Sequence, residues 1–261
     1  MSLIKEASVA GLFYPSDPIE LSASIENFYS RSRSIKTKRP LAIIAPHAGH
    51  LYSGELATQA LSLLKDYTEE VCKIAVIAPA HTLPLMGVAI TSAESFRTPL
   101  GLIPIDHDEN MSLQERQLVT LNDSAFANEH GIEVFLPIIQ KIVPNFTLLP
   151  LVMGNCTASA AEEIIDKLIA DNFFVIISTD LSHSLPYLEA KRVDQKTAEL
   201  IMKKRWSELN PQHACGHYAL QGILKWCKNQ QRTINQIDVI NSGDTAGDKL
   251  KVVGYGAWYI T

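Results

Sequence analysis

The residues best able to do chemistry in this chain stand directly after its most apolar runs. "LAIIA" is followed by "PHAGH", which places His47 and His50. "KIAVIA" is followed by "PAH", with His81, and "FFVIIS" by "TDLSH", with Asp180 and His183. "QIDVINS" leads into "GDTAGD", with Asp244 and Asp248. The chain has 8 histidines in all, so their gathering at three of these ends is a concentration. A lone histidine in a turn is ordinarily a satisfied polar residue. Several delivered to one edge point instead to a metal or catalytic site, because neutral imidazole is the common protein ligand of divalent transition metals. His47 and His81 are the candidate ligands, and His50 is expected on the rim. Two imidazoles and one anionic ligand would leave a coordination position open, as catalysis requires. A carboxylate in the third place would suit Fe(II). A thiolate would suit zinc or copper better and would still permit iron.

The candidate thiolate is Cys215, in "QHACGHYAL". Gly216 lets the backbone approach closely, and a helix begins there, whose N-terminus favours the thiolate. Cys215 therefore reads as a ligand or a nucleophile, set against the ordinary fate of a free cysteine as a small buried apolar residue. That ordinary fate is the reading for Cys72, Cys156 and Cys227. His213 and His217 flank Cys215 but point differently on a helix start, and they are left out of the set. Asp180 and His183 form a second pair, in which an acid beside an imidazole fixes its tautomer or relays a proton; the alternative is helix capping by "STDLSHS". Glu129 and His130 stand in "EHGIEVFLPIIQKI" at an expected helix start, where first-turn charge accounts for Glu129 as well as a functional role does. The chain has no GxGxxG, GxxxxGK[ST], HExxH or GxSxG, so a phosphate cradle, a zincin helix and a hydrolase nucleophile elbow are all unsupported.

The apolar runs that position these groups are residues 41–45, 73–78, 87–91, 146–154, 173–178, 236–242 and 251–261. Several are apolar on both faces, the pattern of strands covered by helices on both sides. Between them lie amphipathic helical patterns. "SGELATQALSLLKDY" has Ser53 as N-cap, "TASAAEEIIDKLIADN" has Thr157 as N-cap, and two more run through "YLEAKRVDQKTAELIMKKRWSEL" and "CGHYALQGILKWCKN". Strands alternating with helices predict an α/β fold with three layers, α/β/α. "GVAIT", "FRTPLGLIPID" and the two C-terminal strands have no intervening helix and are expected to pair antiparallel, which makes the sheet mixed and largely buried.

With 261 residues, 46% hydrophobic and 20% charged, the chain has apolar material for one well-filled core. A net charge of -5 argues against a nucleic-acid footprint and against an anionic membrane surface. The start "MSLIKEASVAGLFYP" lacks a secretory pattern, and no run reaches the roughly 18 apolar residues of a membrane span. The 4 cysteines form no CxxC pair, so free thiols in a reducing compartment, the cytoplasm, are expected. "YSRSRSIKTKRP", residues 29–40, is a basic surface connection before the first core strand.

Taken in order, "VAGLFYPSDPIELSASIENF", "IIAPHAGHLYSG", "PAH", "EHGIEVFLP", "STDLSH", "CGHYAL" and "NSGDTAGDKLKVVGYGAWYI" resemble the Memo family, whose microbial members are called AmmeMemoRadiSam system protein B. The resemblance spans almost the whole chain. It implies a single Memo-like domain over residues 1–261, with a fold similar to the LigB-like class III extradiol dioxygenases, which hold a non-haem Fe(II) by two histidines and a carboxylate. In the Memo family the corresponding pocket is similar to two histidines and a cysteine. Carried onto this sequence, these are His47 of "PHAG", His81 of "PAH" and Cys215 of "CG", with Asp180 and His183 as pocket residues. The resemblance implies iron (Fe2+) first, with copper or zinc as alternatives. Many relatives carry His or Gln where Phe135 stands, so a pocket lined at that position would be more apolar here. The absent carboxylate ligand separates this chain from ring cleavage as such. The microbial family name implies radical-SAM and AMMECR1-type system partners.

Three functions follow as expectations. The first is a metal-dependent oxidoreductase with dioxygenase-like chemistry on a small substrate, with His183 and Asp180 managing protons. The second is a non-catalytic binding or scaffold protein that uses the old pocket for a peptide or partner. The third is a zinc- or cysteine-dependent hydrolase.

Overall fold

A computed structural model describes residues 3–261. Met1 and Ser2, part of the start considered for a leader, lie outside the described residues. The chain opens with β1 (Ile4–Lys5), α1 (Pro18–Arg31), β2 (Ala42–Ala45) and α2 (Glu55–Leu61). There follow β3 (Lys73–Pro79), β4 (Val88–Ile90), β5 (Ser95–Thr98), β6 (Gly101–Pro104), α3 (His107–Glu115) and β7 (Thr120–Leu121). The centre holds α4 (Leu136–Ile142), β8 (Thr147–Met153), α5 (Ala158–Ala170), β9 (Phe174–Ser178) and β10 (His183–Leu185). The last part is α6 (Tyr187–Met202), α7 (His217–Asn229), β11 (Ile234–Asn241) and β12 (Val252–Ile260).

Among the described residues a nine-stranded sheet runs β10-β12-β2-β9-β3-β8-β4-β7, with β11 paired to β12. Its centre is parallel: β2 with β9, β9 with β3, and β3 with β8. Its flanks are antiparallel, β12 with β2 and β11 on one side and β4 with β8 on the other. The mixed sheet is the one expected from the runs without intervening helices. "FRTPLGLIPID" is an antiparallel hairpin, but β5 and β6 leave the main sheet and form a three-stranded one with β1.

The two-faced burial follows from alternation. In β2, Ile43 and Ala45 enter one apolar cluster, and Ala42 and Ile44 the other. In β3, Ile74, Val76 and Ala78 face the first cluster, and Ala75 and Ile77 the second. Helices α1, α2 and α4 cover the first face, through Leu21, Ile25, Leu61 and Ile139; α5, α6 and α7 cover the second, through Ile165, Ile201 and Leu220. Each fully buried Ile or Leu contributes about 1.5–3 kcal/mol, so a one-residue slip of a central strand would exchange large for small side chains on both faces at once.

Two local expectations change. Thr157 does cap α5, its Oγ1 accepting from the Ala160 amide at 3.2 Å. Ser53 caps nothing: it lies inside a π-helical turn, His50–Gly54, and its hydroxyl donates back to the Ala48 carbonyl at 3.0 Å. Gly54 closes that turn against Phe28, where a Cβ would stand 2.8 Å from the ring. Phe135 is fully buried in the first core cluster, so the aromatic ring is taken up by packing under the sheet. No helix among the described residues is long and apolar enough to cross a membrane.

Candidate metal centre

Strands β2, β9 and β3 are adjacent and parallel, so their carboxyl ends open on one edge, where ligands of α/β sheets bind. His47 follows β2, Ser178–His183 follow from β9, and His81 follows β3. The His47 and His81 rings meet edge to face, with centroids 5.0 Å apart and planes at 82°. A third ring joins them from the loop before α4: His130 stacks on His81 at 4.6 Å and 22°, and stands edge-on to His47 at 5.3 Å. One ligand atom from each of His47, His81 and His130 lies within 4.8 Å of the others. This cluster could hold a metal ion.

The hydrogen bonds decide which nitrogens are free. Ser178 Oγ lies 2.6 Å from the Gly131 carbonyl and 2.6 Å from His47 Nδ1. The carbonyl can only accept, so the hydroxyl donates to it, and Nδ1 must then carry the imidazole proton and donate to Oγ. His47 Nε2 is left with a lone pair, and it stands 3.4 Å from Cys215 Sγ. Burial, then the neighbouring His81, His130 and His183, push the pKa of His47 well below the usual imidazole range, so it is neutral. His81 is arranged in the same way around a carboxylate. Its Nδ1 donates to Glu129 Oε1 at 2.8 Å, and its backbone amide donates to Glu129 Oε2 at 2.9 Å. Glu129, itself buried, also accepts from the Gly131 amide at 2.8 Å. Burial opposes the charge on His81, but the Cys215 sulfur and the Glu129 carboxylate outweigh it and raise the pKa to about 10. Glu129 is lowered in return: burial opposes, and the His81 pairing prevails.

Cys215 sits where the sequence places it, just before α7. Its Sγ accepts from the Asp180 amide at 3.2 Å, and its own amide donates to the Asp180 carbonyl at 3.2 Å. Gly216 makes this approach feasible, since a Cβ there would stand 2.7 Å from the Ser178 carbonyl oxygen and 2.8 Å from Thr179 Cβ. The Gly216 amide donates to Thr179 Oγ1 at 2.9 Å.

Asp180 and His183 both arrive at this edge, but not as a pair. The Asp180 carboxylate accepts from the His47 amide at 2.8 Å and, through burial, has its pKa pushed up to about 7 against the pull of the His47 and Ala48 amides. It braces the "PHAG" turn. His183 is exposed, and its Nδ1 donates to the Leu181 carbonyl at 2.8 Å, leaving Nε2 as the free base. Burial of part of its ring, and the nearby His81, lower its pKa. His50 is not on the rim. It is buried, donates from Nε2 to the Val134 carbonyl at 2.8 Å, and packs on Tyr14 at 5.4 Å.

Glu129 and His130 are the residues the sequence reading undervalued. The helix expected from Glu129 begins only at Leu136, after a 3-10 turn over Glu133–Phe135, so Glu129 is no first-turn charge. Gly131 was the available signal. A glycine there is a poor helix start, and in the fold it fits where a Cβ would stand 3.0 Å from Ala78 Cβ and 3.4 Å from His47 Nδ1.

A family model described as Memo-like protein matches residues 5–259. The chain belongs to the Memo-like family. A MEMO1 family protein of Archaeoglobus fulgidus is 28% identical over 264 residues, spanning 97% of each chain. Another, of Methanocaldococcus jannaschii, is 30% identical over 285 residues, spanning 98% of this chain and 99% of its own. Among solved structures, the crystal structure of uncharacterized protein JW3007 from Escherichia coli K12 is similar in fold, with a TM-score of 0.53 and 16% identity over 86% of this chain and 100% of that one. In this Memo-like chain the donors at the edge are imidazole nitrogen and sulfur, a set suited to iron, copper or zinc rather than to magnesium or calcium.

Proposed function

We propose that this Memo-like protein is a metal-dependent oxidoreductase acting on a small substrate, with the metal held by His47 Nε2, His81 Nε2 and the Cys215 thiolate. The observation that carries this reading is the arrangement of the Nδ1 protons. Ser178 holds one and Glu129 the other, so both Nε2 atoms are left clear of the supporting groups, that of His47 3.4 Å from Cys215 Sγ, and that of His81 is free to bind a metal once its proton is displaced. This is the outer-shell arrangement that orients histidine ligands. His130 is a further donor within reach of the same point. Iron is the first assignment and copper the second; zinc fits the donors but has no redox chemistry. A bound redox metal would supply one-electron chemistry and an open position for a small molecule. The chain's own groups do the rest. Asp180 keeps the "PHAG" turn in place, Glu129 keeps His81 oriented, and His183 Nε2 accepts and returns a proton at the mouth. The four free cysteines fit a reducing compartment such as the cytoplasm. The radical-SAM and AMMECR1-type partners are proposed from the family alone.

The test is elemental analysis of anaerobically purified protein together with oxygen uptake. Stoichiometric iron or copper is expected, and its loss in the double variant His47→Ala, His81→Ala. Wild-type protein without a redox metal would overturn the reading. A second reading has its own observation: Cys215 Sγ and His47 Nε2, 3.4 Å apart, also have the spacing of a thiol nucleophile and its base. Alkylation separates the two. A metal-bound thiolate is protected until a chelator is added, whereas a nucleophile reacts at once. Buried Cys227, its thiol pushed up to about 12 by burial, stays unreactive in either case.

A further inference from the structure

One buried acid has no part in the centre described above. Asp194 lies on α6, the helix that turns Ala198, Leu200 and Ile201 into the second apolar cluster. It is 1% exposed. No cation offsets that burial, which pushes its pKa up against the Ser182 amide and hydroxyl. A carboxylate buried without a cation is costly, so what it touches needs an account.

It touches the segment that joins β9 to β10. The Ser182 amide donates to Asp194 Oδ1 at 3.0 Å. The Ser182 hydroxyl stands beside the carboxylate outside hydrogen-bonding geometry. The approach depends on Gly254 of β12, because a Cβ there would overlap both carboxylate oxygens. The same glycine takes up the neighbouring main chain. Its amide donates to the Ser182 carbonyl at 2.8 Å, and its carbonyl accepts from the Leu181 amide at 2.8 Å. The backbone of Ser182 is therefore satisfied on both sides, by the α6 carboxylate and by β12. Groups of the metal centre hang from either end of this pivot. Before it, the Asp180 amide donates to Cys215 Sγ and the Asp180 carboxylate accepts from the His47 amide. After it, His183 Nδ1 reaches back over Ser182 to the Leu181 carbonyl at 2.8 Å, a bond that needs the chain to turn at Ser182.

We propose that Asp194 is a positioning residue of this centre: by holding the Ser182 amide from α6, it sets the direction of His183 Nε2 and the seating of Asp180 against Cys215 and His47. That His183 carries protons for a bound metal rests on the metal-centre reading above. The placement of the segment by Asp194 does not.

The test is nitrogen-15 NMR of the histidine rings in the full chain without added metal, with the His183 signals assigned by their loss in His183→Asn. The wild-type ring is expected in the Nδ1–H form, since the bond a ring nitrogen makes decides which of the two carries the proton. Asp194→Ala should shift His183 toward the Nε2–H form, and should lower the affinity for zinc, added as the probe, about tenfold. Asp194→Asn keeps an acceptor for the Ser182 amide and should restore both. Gly254→Ala drives the carboxylate aside and should act as Asp194→Ala does, with the double variant no worse than either. Leu200→Ala opens a cavity under the same helix and should cost stability in urea with the tautomer unchanged. A wild-type His183 in the Nε2–H form, a tautomer unmoved by both Asp194→Ala and Gly254→Ala, or an equal shift in Leu200→Ala would overturn the proposal. The ring signals need no metal. Wild-type protein without a redox metal would remove the proton-carrying role of His183 and leave its placement by Asp194 standing.

Discussion

The two ends of the parallel strands treat polar groups in opposite ways. At the amino end of β3 and β8, charges cancel each other. Lys73 Nζ lies 3.5 Å from Asp106 Oδ2 and 4.9 Å over the Phe173 ring. Asp106 also accepts from the Thr147 hydroxyl at 3.3 Å, and from the Glu109 amide at 3.1 Å as the cap of α3. Around Lys73 and Asp106, donor meets acceptor. At the carboxyl end of β2, β9 and β3, three imidazoles and a cysteine sulfur are turned toward one another. His47 Nε2 stands 3.4 Å from Cys215 Sγ, while Ser178 and Glu129 engage the Nδ1 atoms behind the His47 and His81 rings. Such a cluster can take up a proton or a metal ion. The high pKa of His81 is the proton answer; the metal is the other. Mutual pairing accounts for the amino end, whereas the carboxyl end gathers a cluster that could hold a metal ion.

This contrast can be broken at several points. The largest effect is expected from His47→Ala with His81→Ala, which should abolish metal binding, as read by elemental analysis, while the fold persists by circular dichroism. Glu129→Gln comes next. It leaves the ligands in place but removes a carboxylate that orients His81, and metal affinity should fall about 10–100-fold, measured by competition with a chromophoric chelator. The third is a pH effect. Without metal, His81 has a folded pKa of about 10 against 6.5 for the ordinary group. The stability its charge contributes is therefore fully present below about pH 6.5 and is lost as pH rises through about 10. A metal must displace that proton, so apparent affinity should rise about tenfold per unit between pH 7 and 9. Affinity independent of pH over that range would mean that His81 is no ligand. The smallest effect belongs to the amino end. Asp106→Ala should cost about 1–2 kcal/mol in urea unfolding, mostly through the lost cap, with metal content unchanged.

The legible part of the site came from strands. His47 and His81 could be placed because each follows a run apolar on both faces, and such runs in a parallel sheet end on one edge. Cys215 could be placed because a glycine and a helix start follow it. Glu129 and His130 enter on a loop that has no period, and a loop residue is positioned by what it meets: Glu129 by two donors from His81, His130 by the rings of Phe13, His47 and His81. His50, three residues from His47, was expected on the rim; the π-helical turn over His50–Gly54 carries it inward to Val134 instead. Asp180 was expected to serve His183, and the fold gives its carboxylate to the His47 amide, because the β9 end lies directly beside the β2 turn.

By itself, the order of residues determined the family, the layered α/β architecture and the edge on which histidines would gather, since periodicity and strand-end chemistry are local properties. Tertiary structure alone decided which nitrogens carry protons, which loop supplies the third imidazole, and that Asp194 of α6 meets the Ser182 amide beside Gly254. Those depend on contacts between groups far apart in the chain, such as Ser178 with Gly131 and His81 with Glu129. A hydrogen bond is a matter of tenths of an ångström, which packing sets and which no spacing along the chain records.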